Sequence, residues 1–209
     1  MTPNNKTKFK NNSQMRYMPI FGVDSEQKLI DTNYYIEGYA ARYEPYVLFN
    51  DGENEYYEQF DRGCFANCDM ADVIFVYDHA GKVLARTSNG TLIVEPRDEG
   101  LFFAADLGKT EAARTLYDEI CAGMITKMSW RFTIGDCEYD PKTRTFTHHT
   151  VKKIYDTSAV SIPANNDTEI NARSWADGVI SLRARRDAEH EIKRKKLEIK
   201  LKIGGFYNE

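Results

Sequence analysis

Only one stretch of this chain carries the period of a helix that packs on a core. Ala113, Leu116, Tyr117, Ile120 and Cys121 fall at i, i+3, i+4, i+7 and i+8, a single apolar stripe. Thr110 can cap its start, Glu111 sits in its first turn, and Gly123 suits the position just past its end. Most other apolar residues come in strand-length pieces. Tyr17–Val23, Tyr34–Arg42, Val73–Tyr77, Thr91–Glu95, Leu101–Leu107, Ile125–Thr133 and Val151–Ile162 read as strands, and Cys137–Tyr139 faces Thr145–Thr147 across a hairpin. Val73 to Tyr77 is continuously apolar, as expected of a strand covered on both faces. One core helix among many strands predicts a β-rich α+β fold: a partly closed antiparallel barrel or sheet flanked by helices.

At 209 residues the chain suits one folded body with tails. Residues 1–16 read as a disordered basic arm, 17–175 as the body and 176–209 as a basic helical tail. Charge follows the same division. Residues 17–182 hold 15 basic and 27 acidic groups, whereas 183–202 hold nine basic and four acidic ones. An acidic body argues against nucleic acid as a partner. The absence of any run of 18 apolar residues argues against a membrane span. No apolar stretch follows the N-terminal lysines, so the expected compartment is the cytoplasm and the four cysteines are expected to be reduced thiols. Ile180, Ala184, Ala188, Ile192 and Ile199 share one stripe of the tail helix, with basic residues around it.

Three residues stand out chemically. In Lys127-Met-Ser-Trp-Arg-Phe132 the apolar side chains alternate with polar ones, so Ser129 lies on the polar strand face with a cation two residues to either side. A serine nucleophile needs access, a base and positive charge near a developing oxyanion. His79 directly follows a buried strand, which fixes its backbone and leaves its ring at the sheet's end, where imidazole can serve as a base. Period two puts Asp156 on a face with Ile154, Ser158, Val160 and Ile162. If that face is the inner one, the carboxylate requires a partner, and an imidazole N–H would satisfy it. His148 and His149 are adjacent and point to opposite faces.

Taken together these segments resemble the HK97-type phage prohead maturation proteases, which are similar in fold to the herpesvirus capsid maturation protease. The order His79, Ser129, Asp156 carries the resemblance, with separations of 50 and 27 positions. So do Glu37-Gly-Tyr-Ala-Ala41, Tyr57-Glu-Gln-Phe-Asp-Arg-Gly-Cys-Phe65, Tyr77-Asp-His-Ala80 with Leu84-Ala-Arg86, Gly90-Thr-Leu92, Gly100-Leu-Phe-Phe103, Gly123-Met-Ile-Thr-Lys-Met-Ser129 and the closing Ile154–Asn165 with its Pro-Ala. The match runs over roughly residues 34–172. The chain departs from the family's pattern in Asp78, where Asn is usual, in Trp130 and Arg131, where small residues are usual, and in Asp156, where Glu is more common.

The resemblance implies a serine endopeptidase domain over 17–175 with a herpesvirus-protease-like fold. Ser129 would be the nucleophile, His79 the base and Asp156 the group that orients His79, with Glu58 as the alternative third member. Backbone N–H groups near Ala164, Asn165 and Asn166 would form the oxyanion site. No metal or cofactor is implied. The implied partners are the major capsid or scaffold protein and further copies of the chain, inside the immature prohead in the host cytoplasm. Two other readings compete: a metal-dependent hydrolase using Asp78, His79 and His148 or His149, and a non-catalytic capsid scaffold or assembly protein.

Overall fold

The computed structural model describes residues 13–21, 28–161 and 166–205. Its elements are β1 (Ser13–Phe21), β2 (Tyr35–Arg42), β3 (Tyr46–Asn50), β4 (Glu55–Phe60), β5 (Ile74–Tyr77), β6 (Ala80–Arg86), a 3₁₀ turn (Thr87–Asn89), β7 (Leu92–Arg97), β8 (Gly100–Asp106), α1 (Glu111–Cys121), β9 (Lys127–Ile134), β10 (Cys137–Asp140), β11 (Thr145–His148), β12 (Val151–Val160) and α2 (Asn166–Gly205). The strands order as β6-β5-β12-β9-β1-β2-β8-β7 and, separately, β10-β11-β4-β3.

Strand β1 is the corner of the larger arrangement. It pairs antiparallel with β9 from Ser13↔Thr133 to Pro19↔Lys127. Only its last two residues reach β2, through Ile20↔Gly38 and Phe21↔Glu37. The eight strands are thus two sheets joined by one shared strand. No barrel closes, contrary to the sequence expectation. The two edge strands, β6 and β7, follow one another in sequence and would have to pair to close it. Thr91 occupies that seam. Its hydroxyl accepts from the Arg86 N–H at 2.9 Å and lies 3.4 Å from the Arg86 carbonyl. Those are the groups with which a β6–β7 ladder would begin. Nor is the pairing wholly antiparallel, since β12 runs parallel to β5 and β11 parallel to β4.

Helix α1 forms where its caps predict. The Thr110 hydroxyl accepts from the Ala113 N–H at 3.2 Å, and Gly123 takes a left-handed φ of 72°. Ala113, Leu116 and Ile120 bury into the main core beside Leu84, Leu107 and Ile125. Leu116→Ala would remove about 2–5 kcal/mol at that contact. On β9, Met128, Trp130 and Phe132 face the same core, with Phe60 and Phe65 packed on Trp130.

Several elements differ from the sequence reading. Strand β1 begins at Ser13, inside the expected N-terminal arm, and β3, β4 and β6 had no counterpart in it. Helix α2 starts at Asn166, well before the expected tail boundary at residue 176. Its Ala176, Val179 and Ile180 pack on Phe49, Tyr139 and Phe146 of the smaller sheet. From residue 184 to 199 its side chains are exposed. Leu182 and Leu197 are exposed as well and lie off the expected stripe, so this stretch has no single apolar face. No helix among the described residues is long and apolar enough to cross a membrane.

Candidate active site

Three strands and one turn build the site. Tyr77 and Ala80 pair at the end of the β5–β6 hairpin, leaving Asp78 and His79 as a two-residue turn. Both have positive φ, 47° and 57°, as a type I′ turn demands. Asp and His are among the few non-glycine residues that tolerate this region. The turn is tied to the end of β12: Asp78 N–H donates to the Ala159 carbonyl at 2.9 Å, and the Asp78 carboxylate accepts from the Ser161 N–H and hydroxyl at 3.0 and 2.9 Å. The backbone of His79 is therefore fixed from two strands.

Strands β9 and β12 supply the partners. Ser129 pairs directly with Ser158, and Arg131 with Asp156. His79 Nε2 lies 2.6 Å from Ser129 Oγ, and His79 Nδ1 lies 2.6 Å from Asp156 Oδ1. With Nδ1 carrying the proton, Nε2 accepts from the serine hydroxyl and Nδ1–H donates to the carboxylate. The structure thus brings Ser129, His79 and Asp156 into one chain of contacts.

Asp156 reaches this chain by a route that period two does not foresee. Between Ile154 and Asp156 the β12–β9 register slips by one residue, so Phe132 faces Ile154 while Arg131, its neighbour, faces Asp156. Tyr155 is the extra residue of this bulge. It leaves Ile154 in the core and turns Asp156 to the opposite face, beside Ser129 and Ser158. Asp156 therefore does not share the face of Ile154. It is nonetheless fully buried, as are Ser129 and Ser158. The strand face carrying Ser129 is not open to solvent as alternation suggested. The His79 side chain, 10% exposed, is the part of the chain of contacts that meets solvent.

Two further side chains touch Asp156, and sequence reasoning gave them no role there. Ser158 Oγ donates to Asp156 Oδ1 at 2.8 Å and lies 3.1 Å from His79 Nδ1. Arg131 Nε lies 2.8 Å from Asp156 Oδ2. Its cation, expected to favour an oxyanion, rests on the carboxylate instead. The available signal was the spacing: residue 131 shares the face of residue 129, so the bulge was the missing step.

Glu58 does not reach His79. It is fully buried on β4, where His148 Nε2 meets its Oε1 at 2.6 Å and Arg16 and Tyr46 bond the same carboxylate. Burial alone would push the Glu58 carboxyl up. The Arg16 and His148 charges and hydrogen bonds outweigh that and hold it well below the usual carboxylate range. Glu58 is thereby corrected from alternative triad member to the centre of a separate buried ion cluster. His148 is committed there, while His149 bonds Asp61 and Asp78 bonds Ser161, so the side chains of the metal-hydrolase reading do not converge. Among the described residues no group of three metal-ligating side chains is assembled. Ala164 and Asn165 lie outside the described residues, and Asn166 is the first residue of α2. The cysteines are free thiols, and burial pushes the Cys64 thiol up to about 12, far from a reactive thiolate.

Among curated proteins and among solved structures, none matches the chain. A family model described as caudovirus prohead serine protease matches residues 23–178, well over half of the sequence.

Proposed function

The chain belongs to the caudovirus prohead serine protease family, and on that premise we propose that it is a serine endopeptidase that cleaves scaffold or capsid protein, and itself, during head assembly. The observation that carries the reading is the position of His79, 2.6 Å from Ser129 on one ring nitrogen and 2.6 Å from Asp156 on the other.

The mechanism that this geometry supports is acyl transfer. Ser129 Oγ attacks the peptide carbonyl carbon while its proton passes to His79 Nε2. Asp156 holds Nδ1–H, keeps the ring in the required tautomer and stabilises the imidazolium that forms. His79 then returns the proton to the leaving amine, and water completes the cycle by the same steps. Backbone N–H groups near Ala164–Asn166, just past β12, are the proposed oxyanion donors. The herpesvirus-protease likeness of the fold belongs to the same reading and is supported by the family resemblance. So do a capsid or scaffold substrate, association of several copies and a location inside the prohead.

Co-expression with the cognate major capsid or scaffold protein tests it, with new N-termini mapped by mass spectrometry. Cleavage is expected with the parent chain and absent with Ser129→Ala. Equal cleavage by both would reject the reading in favour of a non-catalytic assembly protein.

A further inference from the structure

The Asp156 carboxylate presents only Oδ1 to His79; its second oxygen, Oδ2, faces Arg131. We propose that Arg131 is a positioning residue for the His79–Asp156 pair: its guanidinium holds the outer carboxylate oxygen, which keeps Oδ1 on His79 and favours the form of the pair that can accept the serine proton. This rests on the triad reading of Ser129, His79 and Asp156.

Four contacts carry it. Arg131 Nε stands 2.8 Å from Oδ2 with its N–H turned away from the line between them, so the contact is charge on charge. The ring of Tyr155, the bulge residue, lies 5.7 Å from the guanidinium carbon, and its hydroxyl meets Thr133 Oγ1 at 3.1 Å. The residue that turns Asp156 toward His79 thus also seats the arginine. Ser158 fixes Oδ1 from the other side at 2.8 Å.

The electrostatic consequence follows from counting charge on the pair. Asp156 with protonated His79 is neutral overall, and with neutral His79 it carries one negative charge. Only the second form can take the proton from Ser129. A cation against Oδ2 favours that form whichever atom holds the proton. The other groups around His79 leave Arg131 as the counter-charge in contact with Asp156. Ser129 on β9 and Ser158 on β12 are uncharged. Asp78 in the turn is bonded to Ser161, and Lys127 lies two residues beyond Ser129 on the same strand face, paired with Val160. Arg131 is a third exposed, so solvent screens part of the effect.

A fluorophosphonate ester measures this without a known peptide substrate. Ser129 Oγ forms the bond to phosphorus, fluoride leaves, and the hydroxyl proton passes to His79. The labelling rate is followed against pH for the parent, Arg131→Met, Arg131→Lys and Ser129→Ala, and the labelled residue is located by peptide mass spectrometry. The expected parent label is on Ser129, and Ser129→Ala takes none. Arg131→Met is expected to label the same residue with its pH midpoint raised by about half a unit to one unit, and about 3- to 10-fold more slowly at pH values well below the midpoint. Arg131→Lys is expected to restore the midpoint. An unchanged midpoint in Arg131→Met, or one equally displaced in Arg131→Lys, overturns the positioning role alone. A parent chain that is not labelled, or is labelled elsewhere, overturns the triad reading. Should Arg131→Met lack a cooperative melt, Arg131→Gln is read in its place.

Discussion

Replacing Glu58 by Gln removes the negative centre of the cluster formed with Arg16, His148 and Tyr46 while keeping its shape. Glu58 is fully buried and Arg16 only 5% exposed, so this pair lies in the buried regime and not among surface salt bridges. Removing one partner there leaves the other charge without compensation in a poorly solvated site, at a cost of about 3–5 kcal/mol. With a urea slope of about 2 kcal/mol per molar, the unfolding midpoint should drop by about 1.5–2.5 M, a large part of an ordinary stability margin. Unfolding followed by tryptophan fluorescence is a suitable assay, because Trp130 packs against Phe60 of the same strand, β4. A double-mutant cycle sharpens it. Arg16→Met with Glu58→Gln together should cost much less than the two single changes added, with a coupling of at least about 2 kcal/mol. The pH dependence has a definite sign. Glu58 is held below its unfolded value, so its stabilisation is fully present above about pH 4.3 and is lost as pH falls toward the folded value. The gap between parent and variant should therefore narrow below pH 4. A midpoint shift under about 0.5 M, or strictly additive single changes, would refute the reading of these residues as one mutually compensated buried cluster.

Ser129→Ala should lower peptidase activity by about 10^4-fold or more while costing about 1 kcal/mol of stability, since only one hydroxyl bond to His79 is lost; a variant keeping a tenth of the activity would remove Ser129 from the nucleophile role. Asp156→Asn should cut turnover sharply without unfolding the chain, because an amide accommodates the wrong tautomer; turnover equal to the parent's would remove Asp156 from the triad. Deleting residues 177–209 removes Val179 and Ile180 from their contacts with the smaller sheet, so stability should fall measurably by thermal melting; the same deletion should spare hydrolysis of a soluble substrate and reduce incorporation into proheads, and normal incorporation would defeat an addressing role for the basic helix. Active protein should accumulate shortened near residues 170–185 while Ser129→Ala keeps its full mass, and identical intact masses would defeat self-processing.

What could be read from the sequence divides along physical lines. Helix α1 was legible because its cap, stripe and terminal glycine are all local and agree. The polar face of β9 was legible because alternation is regular there, but its burial was not, since burial depends on strands distant in sequence. The assignment of Asp156 named the residue and misplaced its face, because one inserted residue at Tyr155 inverts a period-two count without any compositional mark. Strand β6 went unread since Ala80, Gly81 and Lys82 carry little β-propensity; its direction comes from the Asp78–His79 turn. Glu58 came in through the resemblance alone, and only the fold shows that Arg16, 42 positions earlier, meets it.

The place of β1 between β9 and β2 also sets a schedule. Tyr17 pairs with Ser129, 112 positions later in the chain. At translation rates of about 5–20 residues per second, the ribosome releases β1 on the order of ten seconds before its partner exists. During that interval the first strand has an unpaired edge and Ser129 has not been made. Long-range closure of this kind is slow and comes late. On the proposed triad a nascent copy therefore has no nucleophile throughout that interval, and the strand made first is the one whose docking completes the sheet around Ser129.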